Sequence, residues 1–167
     1  MSIVIEKAVP ADAAALLAHL KQIGGETDNL TFGAEGLPFT VEAEEAFLAR
    51  QQNSRDSVMF LAKENGEIIG NASLSRQSRR MSHRGDLAVS VVRSHWNRGV
   101  GSRLMREIIT FAKENDFEII DLQVLSDNLP AIHLYEKFGF ERLCTYPAFF
   151  RIGDRYLDAE FMCLRLK

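Results

Sequence analysis

The sequence predicts a mixed α+β fold, helices layered on a mixed central sheet (α/β/α), with the element order βααβββαβαββ. Three observations predict it. Short β-prone runs alternate with segments whose apolar residues recur at helical spacing. Two turn signals, Asn65-Gly66 and Gly153-Asp154, each join neighbouring β-prone runs into hairpins. A strand, a long amphipathic helix and another strand follow in succession from residue 85 to 125.

The elements follow in order. Ile3–Val9 reads as a first strand, and Pro10 with Asp12 opens a helix carrying Leu16, Leu17 and Leu20. The pair Gly24-Gly25 is expected to stop that helix, and residues 26–40, with their glycines and proline, to be irregular. Val41–Gln52 reads as a second helix. Ser57–Lys63 and Glu67–Ser75 form a hairpin through Glu64-Asn65-Gly66. After a basic connection, Gly85–Val92 is strongly β-prone. Gly99–Asn115 is an amphipathic helix, with Val100, Leu104, Ile108 and Ala112 on one face and Arg103, Arg106, Glu107 and Lys113 facing out. Phe117–Leu125 is a strand whose Ile120, Leu122 and Val124 share a side. Ser126-Asp127-Asn128 supplies helix-start chemistry for a short helix carrying Ala131, Leu134, Tyr135 and Phe138, and Gly139 caps it. Glu141–Ile152 and Arg155–Leu166 close the chain as a hairpin.

Composition narrows the function classes. The 167 residues fit one domain, 1–167, without repeat or low-complexity tract. A formal charge of −3 gives no global case for nucleic acid or an anionic membrane as partner, and the basic turn Arg76–Arg84 lacks the interleaved aromatics of nucleic-acid readers. No long apolar run suggests a membrane span, and the first residues lack the pattern of a secretory signal. Cys144 and Cys163 stand outside any C-x-x-C pattern, and His19, His83, His95 and His133 lack metal-ligand spacing, so no metal is indicated. Reduced cysteines in a cytoplasmic protein are the expectation.

The stretch VSVVRSHWNRGVGSRLM (89–105) carries the first chemical signal. A strand runs through a short turn into a helix that opens on Arg98-Gly99-Val100-Gly101-Ser102. The first amides of a helix have no internal partner and sit at the positive end of its dipole, so glycines there let a phosphate approach bare N–H groups. Arg98 and Arg103 would add charge. The plain alternative is a turn that needs glycine for steric reasons. A P-loop would place Lys after Gly101, where Ser102 stands, and a dinucleotide fingerprint would place a third glycine at Leu104, so neither fits.

Downstream stands DNLPAIHLYEKFGFE (127–141). With the Gly99-x-Gly101 turn, the run Gly85–Phe140 resembles the GNAT superfamily of acetyltransferases, whose Arg/Gln-x-x-Gly-x-Gly/Ala turn is followed by Asn-x-x-Ala-x-x-Leu-Tyr-x-x-x-Gly-Phe. Asn128, Ala131, Leu134, Tyr135, Gly139 and Phe140 meet the second part. Trp96 occupies the position that the family usually gives to Arg or Gln, and this is the one departure. The resemblance implies the GNAT acyl-CoA N-acyltransferase fold and acetyl transfer from acetyl-CoA, as cosubstrate, to a primary amine. The amine would belong to a small molecule, an amino acid or a protein N-terminus, and would attack directly in a ternary complex without a metal. It further implies that the main chain of Asn97, Arg98, Gly99, Val100, Gly101 and Ser102 binds the pyrophosphate. Val89, Ser90 and Val91 would pair with the pantetheine arm like an added strand. Asn128 would hold the same arm, and Tyr135 would lie near the thioester sulfur. A homodimer stays open, and a non-catalytic acyl-CoA-binding module is the alternative.

That chemistry needs a base, because amines of pKa about 10.4 (lysine-type) or about 8 (α-amino) are protonated at neutral pH. Asp86 at the head of the strand, or Glu26 after the first helix, can serve. The plain readings are a strand-end carboxylate and a loop carboxylate. Asp121 is mid-strand, where an outward-facing position explains it. The Val91 N–H would face the carbonyl oxygen, and Tyr135 would act as general acid, unless it is simply a core aromatic. Cys144, without a basic neighbour, reads as a small buried hydrophobe. The carboxylates Glu26, Asp28, Glu35, Glu42, Glu44 and Glu45, with no Lys or Arg among them, hint at a cationic acceptor.

Overall fold

The computed structural model describes residues 2–167; Met1, which the single-domain reading includes, lies outside them. Strand β1 (Val4–Lys7) leads to helices α1 (Ala13–Glu26) and α2 (Val41–Gln51), then to strands β2 (Ser57–Glu64), β3 (Glu67–Arg76) and β4 (Arg84–Val91). Helix α3 (Val100–Glu114), strand β5 (Ile119–Leu125), helix α4 (Leu129–Lys137) and strands β6 (Glu141–Ile152) and β7 (Arg155–Arg165) complete the chain. The expected order βααβββαβαββ is the order found. The seven strands form one sheet, β1-β2-β3-β4-β5-β7-β6. Every neighbouring pair is antiparallel except β4 and β5.

Helices cover both faces of the first half of the sheet. Gly70 of β3 lies under Val100 and Leu104 of α3, whereas its neighbour Asn71 points the other way to His19 of α1. The α3 stripe foreseen from periodicity, Val100, Leu104, Ile108 and Ala112, is buried throughout. Each large side chain of that stripe contributes about 1.5–3 kcal/mol by leaving water. Gly85 of β4 is required by packing: a Cβ there would meet the Phe117 ring at 2.6 Å.

Several expectations change. Gly24-Gly25 does not stop α1, which continues to Glu26. Gly24 serves a close approach, since a Cβ on it would meet the Gly33 carbonyl oxygen at 2.0 Å. Phe117 precedes β5 and fills the core beneath Gly85, with the Arg76 guanidinium 3.9 Å from its ring centre. Cys144 is exposed and Cys163 buried, because β6 is the outer edge strand and its first eight residues are exposed. Asp121 faces inward, only 8% exposed, and Arg84 grips both its oxygens at 2.7 and 2.6 Å. Helix α4 buries Ile132 and Tyr135, leaving Ala131, Leu134 and Phe138 half-covered. Among the described residues no helix is long and apolar enough to cross a membrane.

Candidate functional site

The parallel pair β4/β5 is joined at only three positions, Arg84↔Ile119, Gly85↔Ile120 and Asp86↔Asp121. Beyond Asp86, β4 stays with β3 while β5 follows β7 as far as Leu125↔Ala159, so the sheet opens into a wedge. The ladder sets which groups face it. Val92 N–H donates to Ile69 O and Arg84 O accepts from Gln77 N–H, both at 2.9 Å. Even-numbered residues of β4 therefore bond to β3, and the N–H and C=O groups of Leu87, Val89 and Val91 turn toward the opening. Of the three residues expected to present main chain there, Val89 and Val91 do so. Ser90 instead spends its main chain on the ladder, and its hydroxyl donates to Asn71 Oδ1.

Parallel strands end on the same side, so the start of α3 and the start of α4 both sit at the mouth of the wedge. Crevices at such carboxyl ends, where parallel strands part, are the usual ligand sites of open sheets. Gly99 holds φ +78° as the residue before α3 and carries no side-chain cap. The first intrahelical bond is Arg103 N–H to Gly99 O at 3.1 Å, so the amides of Val100, Gly101 and Ser102 have no acceptor within the helix. Asn97 shares the left-handed region, with φ 59°. Space is open above Gly99, whereas a Cβ on Gly101 would lie 3.0 Å from Leu134 Cδ2. The two glycines are thus explained by backbone angle and by helix packing, and the bare amides remain for a ligand. An extended arm along β4 and a phosphate at these amides fit what the residues offer.

Side chains around the cradle depart from expectation. Arg98 is turned to Glu64 at 3.2 Å, beside a 3.0 Å contact between Glu64 and His95. His95 and then Arg98 hold the Glu64 carboxyl below the usual carboxylate range. Arg103 lines a groove beside β1 with Ile3, Val4 and Ile5. The cation at the cradle is one that sequence reading passed over: Lys137 Nζ donates to Ser102 Oγ at 3.3 Å. Its only signal was its place between Tyr135 and Gly139 in the second motif. Trp96, the departure from the family pattern, donates its indole N–H to Val91 O at 2.7 Å. Asn128 caps α4 through Oδ1 to Ala131 N–H at 3.4 Å, leaving its amide nitrogen without an acceptor among the described residues.

Tyr135 is 7% exposed, and burial pushes its hydroxyl up to about 12. The carboxylate candidates separate clearly. Glu26 is the last residue of α1 rather than a loop residue; it accepts from Arg93 N–H at 2.7 Å and Gln22 Nε2 at 3.0 Å, so both oxygens are committed. The Arg93 guanidinium also donates to the Glu26 carbonyl. Asp86 is exposed, at the last β4/β5 pairing, with Oδ1 accepting from Gln77 Nε2 at 2.9 Å and Oδ2 without a partner among the described residues. A further concavity of about 390 Å³ lies between residues 27–35 and the tip of the β6/β7 hairpin.

A sheet split between parallel strands, with unpaired main chain along one lip and bare helix amides at its mouth, defines the acyl-CoA-binding class of fold. The acetyltransferase (GNAT) family model matches residues 28–140, and this chain belongs to that family. It is 38% identical over 100 residues to the L-amino acid N-acetyltransferase AaaT of Escherichia coli, a match covering 58% of this chain and 61% of that one. It is 30% identical over 93 residues to the N-alpha-acetyltransferase RimI of Mycobacterium tuberculosis, covering 55% and 57%. These matches thus span less than two thirds of either relative. A GNAT-family acetyltransferase from Streptococcus pneumoniae superposes with a TM-score of 0.95 at 32% identity, covering 99% of this chain and 100% of that one. An acetyltransferase of Salmonella typhimurium solved with acetyl-CoA shares the fold, with a TM-score of 0.86 at 22% identity, covering 100% and 95%.

Proposed function

We propose that this chain is an acetyl-CoA-dependent N-acetyltransferase that acts on a primary amine by direct attack in a ternary complex. The observation that carries this reading is the open lip of β4, with the main chain of Val89 and the N–H of Val91 unpaired on the wedge side, running toward the bare amides of α3. Val89 and Val91 bind the pantetheine arm, and the main chain of Asn97–Ser102 with Lys137 binds the diphosphate. Acetyl-CoA supplies the activated acyl group. The relatives' names point to two acceptor kinds, free L-amino acids and protein α-amines.

Asp86, with one free carboxylate oxygen, takes a proton from the amine directly or through water. The neutral nitrogen then forms its bond to the acyl carbon as the carbon–sulfur bond breaks; of the two protons that the ammonium gives up, the first passes from Asp86 to solvent and the second ends on sulfur. Tyr135, at about 12, keeps its own proton across the neutral range. A thiol's ordinary value is about 8.5, so Tyr135 steadies the departing thiolate by donating a hydrogen bond rather than by giving the proton away.

The test pairs a thiol-release assay over a panel of amines with calorimetry of acetyl-CoA. Turnover is expected with at least one amine, and Asp86→Asn should lower it about tenfold or more at neutral pH, with the loss shrinking as pH rises. Tight acetyl-CoA binding without turnover on any amine would leave the non-catalytic acyl-CoA-binding module as the better reading.

A further inference from the structure

The segment that follows α1 leaves from the wedge. Glu26 is tied to Arg93 just beyond β4, and the chain continues from Thr27 into one wall of the concavity between residues 27–35 and the hairpin tip. Its lining is mixed, with apolar side chains on both walls: Leu30 and Phe32 on the loop side face Phe149, Phe150 and Ile152 on the hairpin side, among Thr27, Asp28, Thr31, Glu35 and Arg151. Phe149 and Phe150 stack with ring centres 5.3 Å apart, and Tyr146 meets Phe149 edge-on at 5.4 Å. Such ring surfaces, half-buried and preordered, suit an apolar or aromatic side chain.

The charges around this cleft reverse the hint that the acidic segment gave. Asp28 is paired with Arg155 at 3.2 Å, and Glu35 is folded back onto its own loop, accepting Gly33 N–H at 2.9 Å. Glu26 is committed to Arg93 and Gln22, and Glu44 is buried, its carboxyl raised by desolvation. Arg151 is different. Its Nε donates to Gly153 O at 3.1 Å and its guanidinium lies 5.7 Å from the Tyr156 ring centre, but no carboxylate pairs with it among the described residues. Its remaining N–H groups form a fork suited to a carboxylate.

Resting on the acetyltransferase reading, we propose that the acceptor is a free α-amino acid with an apolar or aromatic side chain. Its side chain lies among Phe32, Phe149 and Phe150, its carboxylate meets Arg151, and its amine is directed to the wedge. Polyamines lack the carboxylate, and a peptide's α-amine has no free carboxylate on the same residue. Neither can use that fork.

The experiment uses the whole chain with acetyl-CoA and four acceptors: L-phenylalanine, phenethylamine, a tripeptide beginning with phenylalanine, and spermidine. L-Phenylalanine is expected to exceed the other three about tenfold or more in kcat/KM, the discrimination that one charged hydrogen bond supplies. Arg151→Gln, on an exposed hairpin, should bring L-phenylalanine and phenethylamine within about threefold by raising KM for the amino acid alone. Equal use of phenethylamine or the tripeptide by the unaltered chain, or indifference of L-phenylalanine kinetics to Arg151→Gln, overturns the proposal. Calorimetry of L-phenylalanine in the presence of coenzyme A separates the two readings. Binding that weakens in Arg151→Gln supports the cleft even if no acceptor turns over. Turnover of other amines with no L-phenylalanine binding sinks the cleft and leaves the enzyme standing.

Discussion

On the α3 side of the wedge the open polar groups are main-chain amides and carbonyls, set by one strand, one turn and one helix within residues 87–102. On the loop side the proposed acceptor cleft is made of side chains, Phe32 from one segment and Phe149, Phe150 and Arg151 from another more than a hundred residues away. A site made of main chain is indifferent to most substitutions that preserve φ, ψ and space, so one short motif suffices to build it. A site made of side chains changes with every substitution, which lets one scaffold serve many acceptors.

The sharpest break of this contrast comes from filling the main-chain side. Gly101→Glu places a carboxylate among the bare amides and a Cβ 3.0 Å from Leu134 Cδ2. Affinity for acetyl-CoA, measured by calorimetry, should fall on the order of a hundredfold or more. Gly101→Ala, which adds the Cβ alone, should cost far less because the Leu134 tip can give. Equal losses in the two variants would show that packing against α4, not the cradle, sets the effect.

Next comes Tyr135, the buried side chain proposed to meet the acyl end. Tyr135→Phe keeps the ring against Phe140, whose centre lies 5.8 Å away, and removes only the hydroxyl. Turnover should drop about ten- to a hundredfold with acetyl-CoA affinity unchanged within about twofold. A variant as fast as the parent would make Tyr135 a packing residue.

The same contrast explains how much could be read in advance. The glycine turn into α3 was legible from its local motif and the burial of Tyr135 from helical periodicity, whereas the unpaired edge of β4 was an expectation of the family resemblance alone. Arg98 and Glu26 were misplaced because their partners, Glu64 and Arg93, are remote in sequence, and a pairing across 34 or 67 residues leaves no mark in a local pattern. Lys137 and the cleft around Arg151 were missed for the same reason. Cys144 and Asp121 exchanged their expected burial because strand alternation cannot say which strand ends at the sheet's edge.

A smaller effect tests the turn between strand and cradle. Trp96 is the only tryptophan and its indole pins Val91 O. Trp96→Phe removes that hydrogen bond and keeps an aromatic ring; KM for acetyl-CoA should rise about three- to tenfold while kcat stays within about twofold. A change confined to kcat would mean that the indole acts on the acyl end and not on the geometry of the turn.

The smallest effect lies behind the lip, in the core that holds β4 against α1. His19 Nε2 meets Asn71 Oδ1 at 3.2 Å, and the same oxygen accepts the Ser90 hydroxyl. The other ring nitrogen of His19 is buried beside the Ile68 main chain, without a well-formed hydrogen bond among the described residues. Burial lowers its pKa in spite of the Asn71 hydrogen bond, so the folded chain keeps this imidazole neutral while the unfolded chain titrates near 6.5. The folded state therefore binds fewer protons here than the unfolded state as the solution is acidified. The sign follows from linkage: stability is fully present above the unfolded value and declines as pH falls below it toward the folded value. Melting temperature should fall more steeply between pH 6.5 and 5 in the parent than in His19→Leu, which has no proton to take up. Parallel slopes in the two proteins would place the acid sensitivity elsewhere and leave His19 as packing beneath β4.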